Sequence, residues 1–138
     1  MKEQIEAGNI QDAFMTALGA SNIGVTEFCC ENVELEEVFH GEEGCVVTQT
    51  VLVCLMQQLG SSIAAGGKGG KGIFDMEAEW LQEIVLCIDP SDKDIGSHVK
   101  GVKAQLIKLI SSTVEGLAAG KEKRKLNGLL QMVRGLAA

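Results

Sequence analysis

The stretch TQTVLVCLMQQLGSSI, Thr48 to Ile63, decides the fold. Leu52, Leu55, Met56 and Leu59 stand three or four residues apart, the spacing that lines one face of an α-helix. Val51 and Val53 extend the apolar surface almost all round, which marks a central helix with neighbours on several sides. Thr48 opens this helix. The apolar run Val51–Met56 is far too short to cross a bilayer, so the helix belongs to a packed core.

Working outward toward the N-terminus, Ile10, Ala13, Phe14, Ala17 and Leu18 repeat the helical pattern. Asn9 is the expected cap, Gly8 the close of a preceding helix and Gly19 the close of this one. A further helix is expected from about Asn22 to Glu31, and a short one through Leu35, Val38 and Phe39. Toward the C-terminus, Asp75 is the expected cap of a helix bearing Met76, Trp80, Leu81, Ile84, Val85 and Ile88, ended by Pro90. Ser91 or Asp92 then starts a long helix with its seam at Ile95, Val99, Val102, Leu106 and Leu109, terminated at Gly120. A last helix carries Leu126, Leu129, Leu130, Val133 and Leu136 on one side and leaves Lys123, Lys125 and Arg134 to solvent. No comparable stretch alternates with period two. The expected fold is all-α, antiparallel helices joined by short loops, in a single domain over residues 1–138.

Between the two central helices lies AAGGKGGKGIF, Ala64 to Phe74, which superficially suggests a phosphate loop. A P-loop needs Gly-Lys-Ser/Thr after a strand. Here Gly69 and Gly72 follow the two lysines, no hydroxyl is offered to magnesium, and the preceding element is helical. The segment at about 64–73 is therefore expected to be a flexible linker.

Composition narrows the function classes. Hydrophobic residues make up 46% and Pro occurs once, as in a folded globular chain. Met1 leads straight into charged, helix-forming residues, so no signal peptide is expected, and five cysteines without a metal-like repeat suit a reduced, cytoplasmic setting. The net charge of −7 conceals an asymmetry: residues 1–92 carry sixteen Asp and Glu against three Lys, and residues 93–138 carry nine Lys and Arg against three Asp and Glu. Such asymmetry suggests that one end of the domain meets a different partner from the other; the alternative is solvated faces that keep the chain soluble.

No motif specifies catalysis, a cofactor or a metal. Cys29 and Cys30 are adjacent and point about 100° apart on a helix, a poor chelating pair. Cys45, Cys54 and Cys87 sit among apolar residues as small core hydrophobes. A Cys–His nucleophile pair would need His40 or His98 beside one of them. Glu36, Glu37, Glu42 and Glu43 form the kind of run that covers a solvated helix face. The basic cluster Lys121, Lys123, Arg124 and Lys125 raises an RNA-binding alternative. Recognition of single strands usually adds stacking aromatics, however, and this chain has no Tyr, one Trp and four Phe.

Taken in order, the segments resemble a known family. GNIQDAFMTALGASNIGVTEFCCENV (Gly8 to Val33), TQTVLVCLMQQLGSSI (Thr48 to Ile63) and EAEWLQEIVLCIDPSDKDIGSHV (Glu77 to Val99) are similar to successive helices in the C-terminal domain of the enhancer-of-decapping scaffolds called Hedls, or Varicose in plants. The likeness includes the Gln57-Gln58-Leu59 ending and the Ile88-Asp89 turn before His98. Gly66–Gly72 is an insertion relative to it, and the last helix matches only in its basic, leucine-rich character.

The resemblance implies stacked helices like those of armadillo and HEAT repeats, although no internal repeat of about 40 residues is visible in this chain. It also implies no catalysis and no cofactor, residence in cytoplasmic processing bodies, and contact with the decapping enzyme complex and mRNA-decay proteins, with self-association as a further role. The expected mechanism is presentation of a rigid helical surface through one charged end. The candidate partner-binding residues are Lys100, Lys103 and Lys108 on the long helix, of which Lys103 flanks the seam, and Arg124, Lys125 and Arg134 on the last. The alternative from another class is a direct RNA-binding module that uses the same charges.

Overall fold

Among the described residues, apolar periodicity becomes eight helices: α1 (Lys2–Glu6), α2 (Ile10–Gly19), α3 (Ile23–Glu31), α4 (Leu35–Phe39), α5 (Gln49–Ala64), α6 (Asp75–Cys87), α7 (Gly96–Glu115) and α8 (Lys121–Arg134). The computed structural model describes residues 2–40, 44–67 and 74–136, and no β-strand occurs among them. Most of the Gly/Lys segment expected to be slack, residues 68–73, lies outside the described residues, as do Glu42 and Glu43.

Helix α5 is the axis of the core. Leu52, Leu55, Met56, Leu59 and Ile63 are fully buried, and Val51 and Val53 nearly so, because α2, α3, α6 and α7 all pack on it. Thr48 caps it as expected, its hydroxyl accepting from the Val51 amide at 3.4 Å. Gln11 of α2 clasps the same residue, its Oε1 accepting from the Thr48 amide at 2.9 Å and its Nε2 donating to the Thr48 hydroxyl at 3.2 Å. Where α5 meets α7, Gly60 lets the helices approach: a Cβ there would stand 2.5 Å from Leu106 Cδ1. Trp80 of α6 is wedged between Phe14 of α2 and Phe39 of α4, with ring centroids 5.6 and 5.5 Å away.

Several expected boundaries shift. Gly8 closes α1 with φ +79° as expected, but Asn9 makes no side-chain cap on α2. Gly19 is the last residue of α2, and the left-handed turn beyond it falls on Ser21, at φ +51°. Asp75 is the first residue of α6 and does not cap it; Phe74 occupies the cap position and its amide donates to Glu122 Oε2 of α8 at 3.1 Å. Helix α6 stops at Cys87, three residues before Pro90. Asp92 begins a turn rather than the helix: its carboxylate accepts from the Asp94 amide at 2.8 Å and its carbonyl from the Gly96 amide at 2.9 Å, so α7 starts at Gly96. Glycine ends α7 at Gly116, and Gly120 instead precedes α8. The buried seam of α7 runs on through Ile110 and Val114, while Val102 and Leu109 are half-buried at its edge. A step of four after Leu106 keeps closer to 3.6 residues per turn than the expected step of three, given that Val99 starts the seam.

Candidate functional site

The basic C-terminal third forms the α7–α8 hairpin. Lys103 on α7 donates from Nζ to the Leu136 carbonyl at 2.6 Å, just beyond the end of α8, so the two helices run antiparallel. A cation at that position also meets the negative end of the α8 dipole. At the opposite end, Lys125 is ion-paired with Asp75, which ties the N-terminal half of α8 to the first turn of α6. Glu122 reinforces the same junction through the Phe74 amide.

The six candidate residues therefore divide. Lys103 and Lys125 are half-buried and hold helices together. Lys100, Lys108, Arg124 and Arg134 are exposed, and among the described residues none of them makes an ion pair. Lys100 and Lys103 share one edge of α7, and the Lys103–Leu136 contact brings that edge to the end of α8 that bears Arg134. Lys108 lies nine residues from buried Val99, half a turn out of phase, and faces away from the core. Arg124 and Lys125 are about 14 Å along α8 from Arg134, taking 1.5 Å per residue. Lys100 and Lys103 thus lie on the edge of α7 that meets the C-terminal end of α8, the end that carries Arg134, whereas Lys108 faces another side of α7 and Arg124 and Lys125 lie near the start of α8. Lys123, expected in solvent, is half-buried.

A polar cluster between α3, α5 and α6 is a feature that the apolar pattern did not flag. Ser62 donates to Glu27 Oε1 at 2.6 Å and lies 3.4 Å from Glu77 Oε1, while Thr26 donates to Gln58 at 2.5 Å. Glu77 is 1% exposed. Its position carried a signal, since Glu77, Leu81 and Ile84 fall at i, i+4 and i+7 of one helical face, the face that is buried. Met76, expected inward, is half-buried.

The cysteines separate by burial. Cys29 and Cys30 are buried. Burial pushes the Cys29 thiol up to about 11. Burial, and then the neighbouring Cys29, Glu27, Glu31 and Glu77, hold Cys30 well above the usual thiol range. Cys45, Cys54 and Cys87 are only half-buried. Cys54 lines an open groove of about 360 Å³ with Met15, Leu18 and Val51, an apolar wall between α2 and the start of α5. Neither histidine acquires a cysteine partner among the described residues: His40 Nε2 instead lies 2.9 Å from Glu83 Oε2, and His98 is exposed. No group of three His, Cys, Asp or Glu among the described residues is placed to hold a metal ion. No helix among them is long and apolar enough to cross a membrane.

Compared with known proteins, residues 1–129 match the model of the family described as "Enhancer of mRNA-decapping protein 4, C-terminal". The chain belongs to that family. Among members of the decapping-enhancer family, it is 29% identical to the human Enhancer of mRNA-decapping protein 4 over 129 residues, 91% of this chain. It is 30% identical to the Xenopus laevis protein over 132 residues, 96% of this chain. This chain spans only 9% of the length of either relative. Its fold is similar to that in a crystal structure of the conserved C-terminal region of Ge-1, with a TM-score of 0.81 over 96% of this chain and 92% of the other, at 21% identity. The fold that resembles that region is all-helical among the described residues, and the family match ends at residue 129, within α8.

Proposed function

We propose that this chain is a non-catalytic protein-interaction module of an mRNA-decapping scaffold, acting in cytoplasmic processing bodies by recruiting decapping and decay proteins. The observation that carries the reading is the concentration of exposed positive charge, Lys100 on the edge of α7 and Arg134 on the end of α8 that it meets, in an otherwise acidic chain. Family membership supplies the pathway, since the relatives are named as enhancers of mRNA decapping.

The same reading takes the chain as one domain with an armadillo/HEAT-like stack. Supporting it, α5 and α6 form one hairpin and α7 and α8 the next, with α5 against α7 and α6 against α8. Within each layer the helices run in the same direction: Asp75 meets Lys125 at the starts of α6 and α8, while Gly60 and then Ile63 of α5 meet Leu106 and then Leu109 to Leu117 of α7. Stacked hairpins of this kind offer a rigid surface to a partner. Self-association is a further use of that surface.

The test is binding of the purified chain to the reconstituted decapping enzyme complex, comparing wild type with Lys100→Glu/Arg134→Glu. Lys103 is left intact because it holds Leu136. Exposed charge changes alter stability by only about 0.5 kcal/mol each, while rim charges govern encounter and partner choice. The expected result is a folded variant with at least a tenfold loss of affinity. Unchanged affinity would remove this end of the hairpin from the reading. Sequence-tolerant RNA binding that weakens steeply with salt would favour the nucleic-acid alternative.

A further inference from the structure

Helix α5 carries no charged residue anywhere along its length, yet one stripe of it, Thr50, Gln57 and Ser61, is exposed. A solvated helix face ordinarily carries Lys or Glu, whereas the core of a protein interface is depleted of charge. Two open grooves adjoin that stripe. The first, of about 360 Å³, is walled by Met15 and Leu18 of α2 and by Val51 and Cys54 of α5. The second, of about 400 Å³, lies where Ile23, at the start of α3, stands beside Gln57 and Ser61. Met15 and Ile23 are large apolar side chains left 57% and 37% exposed.

Cys54 in the first groove and Ser61 in the second are seven residues apart on α5, about 10.5 Å along its axis. Two helical turns is also the separation of apolar anchors at i and i+7 on a helix lying alongside. The first groove is pre-formed, because Gln11 of α2 clasps both the amide and the hydroxyl of Thr48. Electrostatics select the flanks of the ligand. Residues 1–64, which supply every wall of both grooves, carry ten Asp and Glu against one Lys. Asp12, next to Gln11, is exposed on α2.

We infer that the face formed by α2, α3 and α5 docks an amphipathic α-helix of a partner protein, with apolar anchors at i and i+7 and lysine or arginine on its flanks. One anchor enters the groove at Met15, whose flexible thioether adapts to differently shaped side chains, and the other meets Ile23. The acidic N-terminal half attracts the basic flanks and rejects an acidic helix with the same apolar stripe. None of these residues belongs to the α7–α8 hairpin, so the inference stands apart from the recruitment role proposed above for its basic end.

The probe is a short helical peptide with leucines three and four residues apart and lysines elsewhere, beside a matched peptide with glutamate in place of every lysine. Binding to the full chain is titrated by fluorescence anisotropy and located by amide chemical shifts. The lysine peptide should bind at least about tenfold tighter than the glutamate peptide. Its shifts should centre on Met15, Ile23 and Cys54, and Met15→Ser/Ile23→Ser should weaken it at least about tenfold. The shift map of the unaltered chain stands whether or not that variant folds. Lys100→Glu/Arg134→Glu, which tests the recruitment role, should leave peptide affinity within about twofold, since distant sites act independently. Shifts centred elsewhere, equal binding of the two peptides, or undiminished binding by a folded serine variant would overturn the inference. So would groove shifts that grow with chain concentration alone as a dimer forms in sedimentation, which would assign this face to a second copy of the chain.

Discussion

Trp80 is the residue on which the packing of the N-terminal helices against α6 most depends. Its side chain is 4% exposed and touches Phe14 and Phe39 at centroid separations of 5.6 and 5.5 Å, so one indole joins α2, α4 and α6. Truncation of a buried Trp to Ala costs about 3–5 kcal/mol, because transfer energy is lost and the cavity only partly collapses. The tilted and edge-on ring contacts contribute about 0.5–1.5 kcal/mol each beyond area. Against a total of about 5–15 kcal/mol, Trp80→Ala leaves a marginal fold. At about 3–4 °C per kcal/mol for a chain of this size, melting should fall by roughly 9–20 °C. The assay is urea and thermal unfolding followed by circular dichroism, with Leu86→Ala on the same helix as the control. Leu86 is 70% exposed and its truncation should stay within about 0.5 kcal/mol. If Trp80→Ala melts within two degrees of the Leu86→Ala control, the inward face of α6 has been wrongly assigned.

Two further outcomes are expected. Gly60→Val drives a branched side chain into Leu106 and should cost about 1–3 kcal/mol, measured by urea titration; a neutral result would mean that α5 and α7 do not cross so closely. Stability should be flat between pH 6 and 8 and fall from about pH 9 toward the Cys29 value of about 11, because the unfolded thiols release protons that folded Cys29 and Cys30 retain. Cys29→Ala should flatten that decline, and an unchanged alkaline profile would contradict the assigned burial.

Helix identity was legible because each element's core residues recur with helical period and local chemistry marks many ends. Thr48 capping α5 and Gly8 closing α1 are both of that kind. The errors fall where a residue's partner is distant in sequence. Asp75 looks like a cap, but Lys125 claims its carboxylate. Asp92 looks like a helix start, but its side chain and carbonyl together make a turn. Glu77 falls on the buried face of α6, but the apolar pattern does not show that Ser62 of α5 meets it there. The basic surface was half legible. The sequence shows where positive charge is concentrated, whereas only the packing of α8 on α6 and α7 separates Lys103 and Lys125, which hold helices, from Lys100 and Arg134, which do not.

The most direct test of the interaction role follows a tagged full-length scaffold carrying this chain, with and without Lys100→Glu/Arg134→Glu, in cells with visible processing bodies. Circular dichroism of the isolated chain establishes that the variant folds. The account predicts that the wild-type scaffold concentrates in processing bodies and the folded variant disperses through the cytoplasm. A folded variant that still concentrates there would contradict it, and would move the search to the acidic surface of α3 and α4.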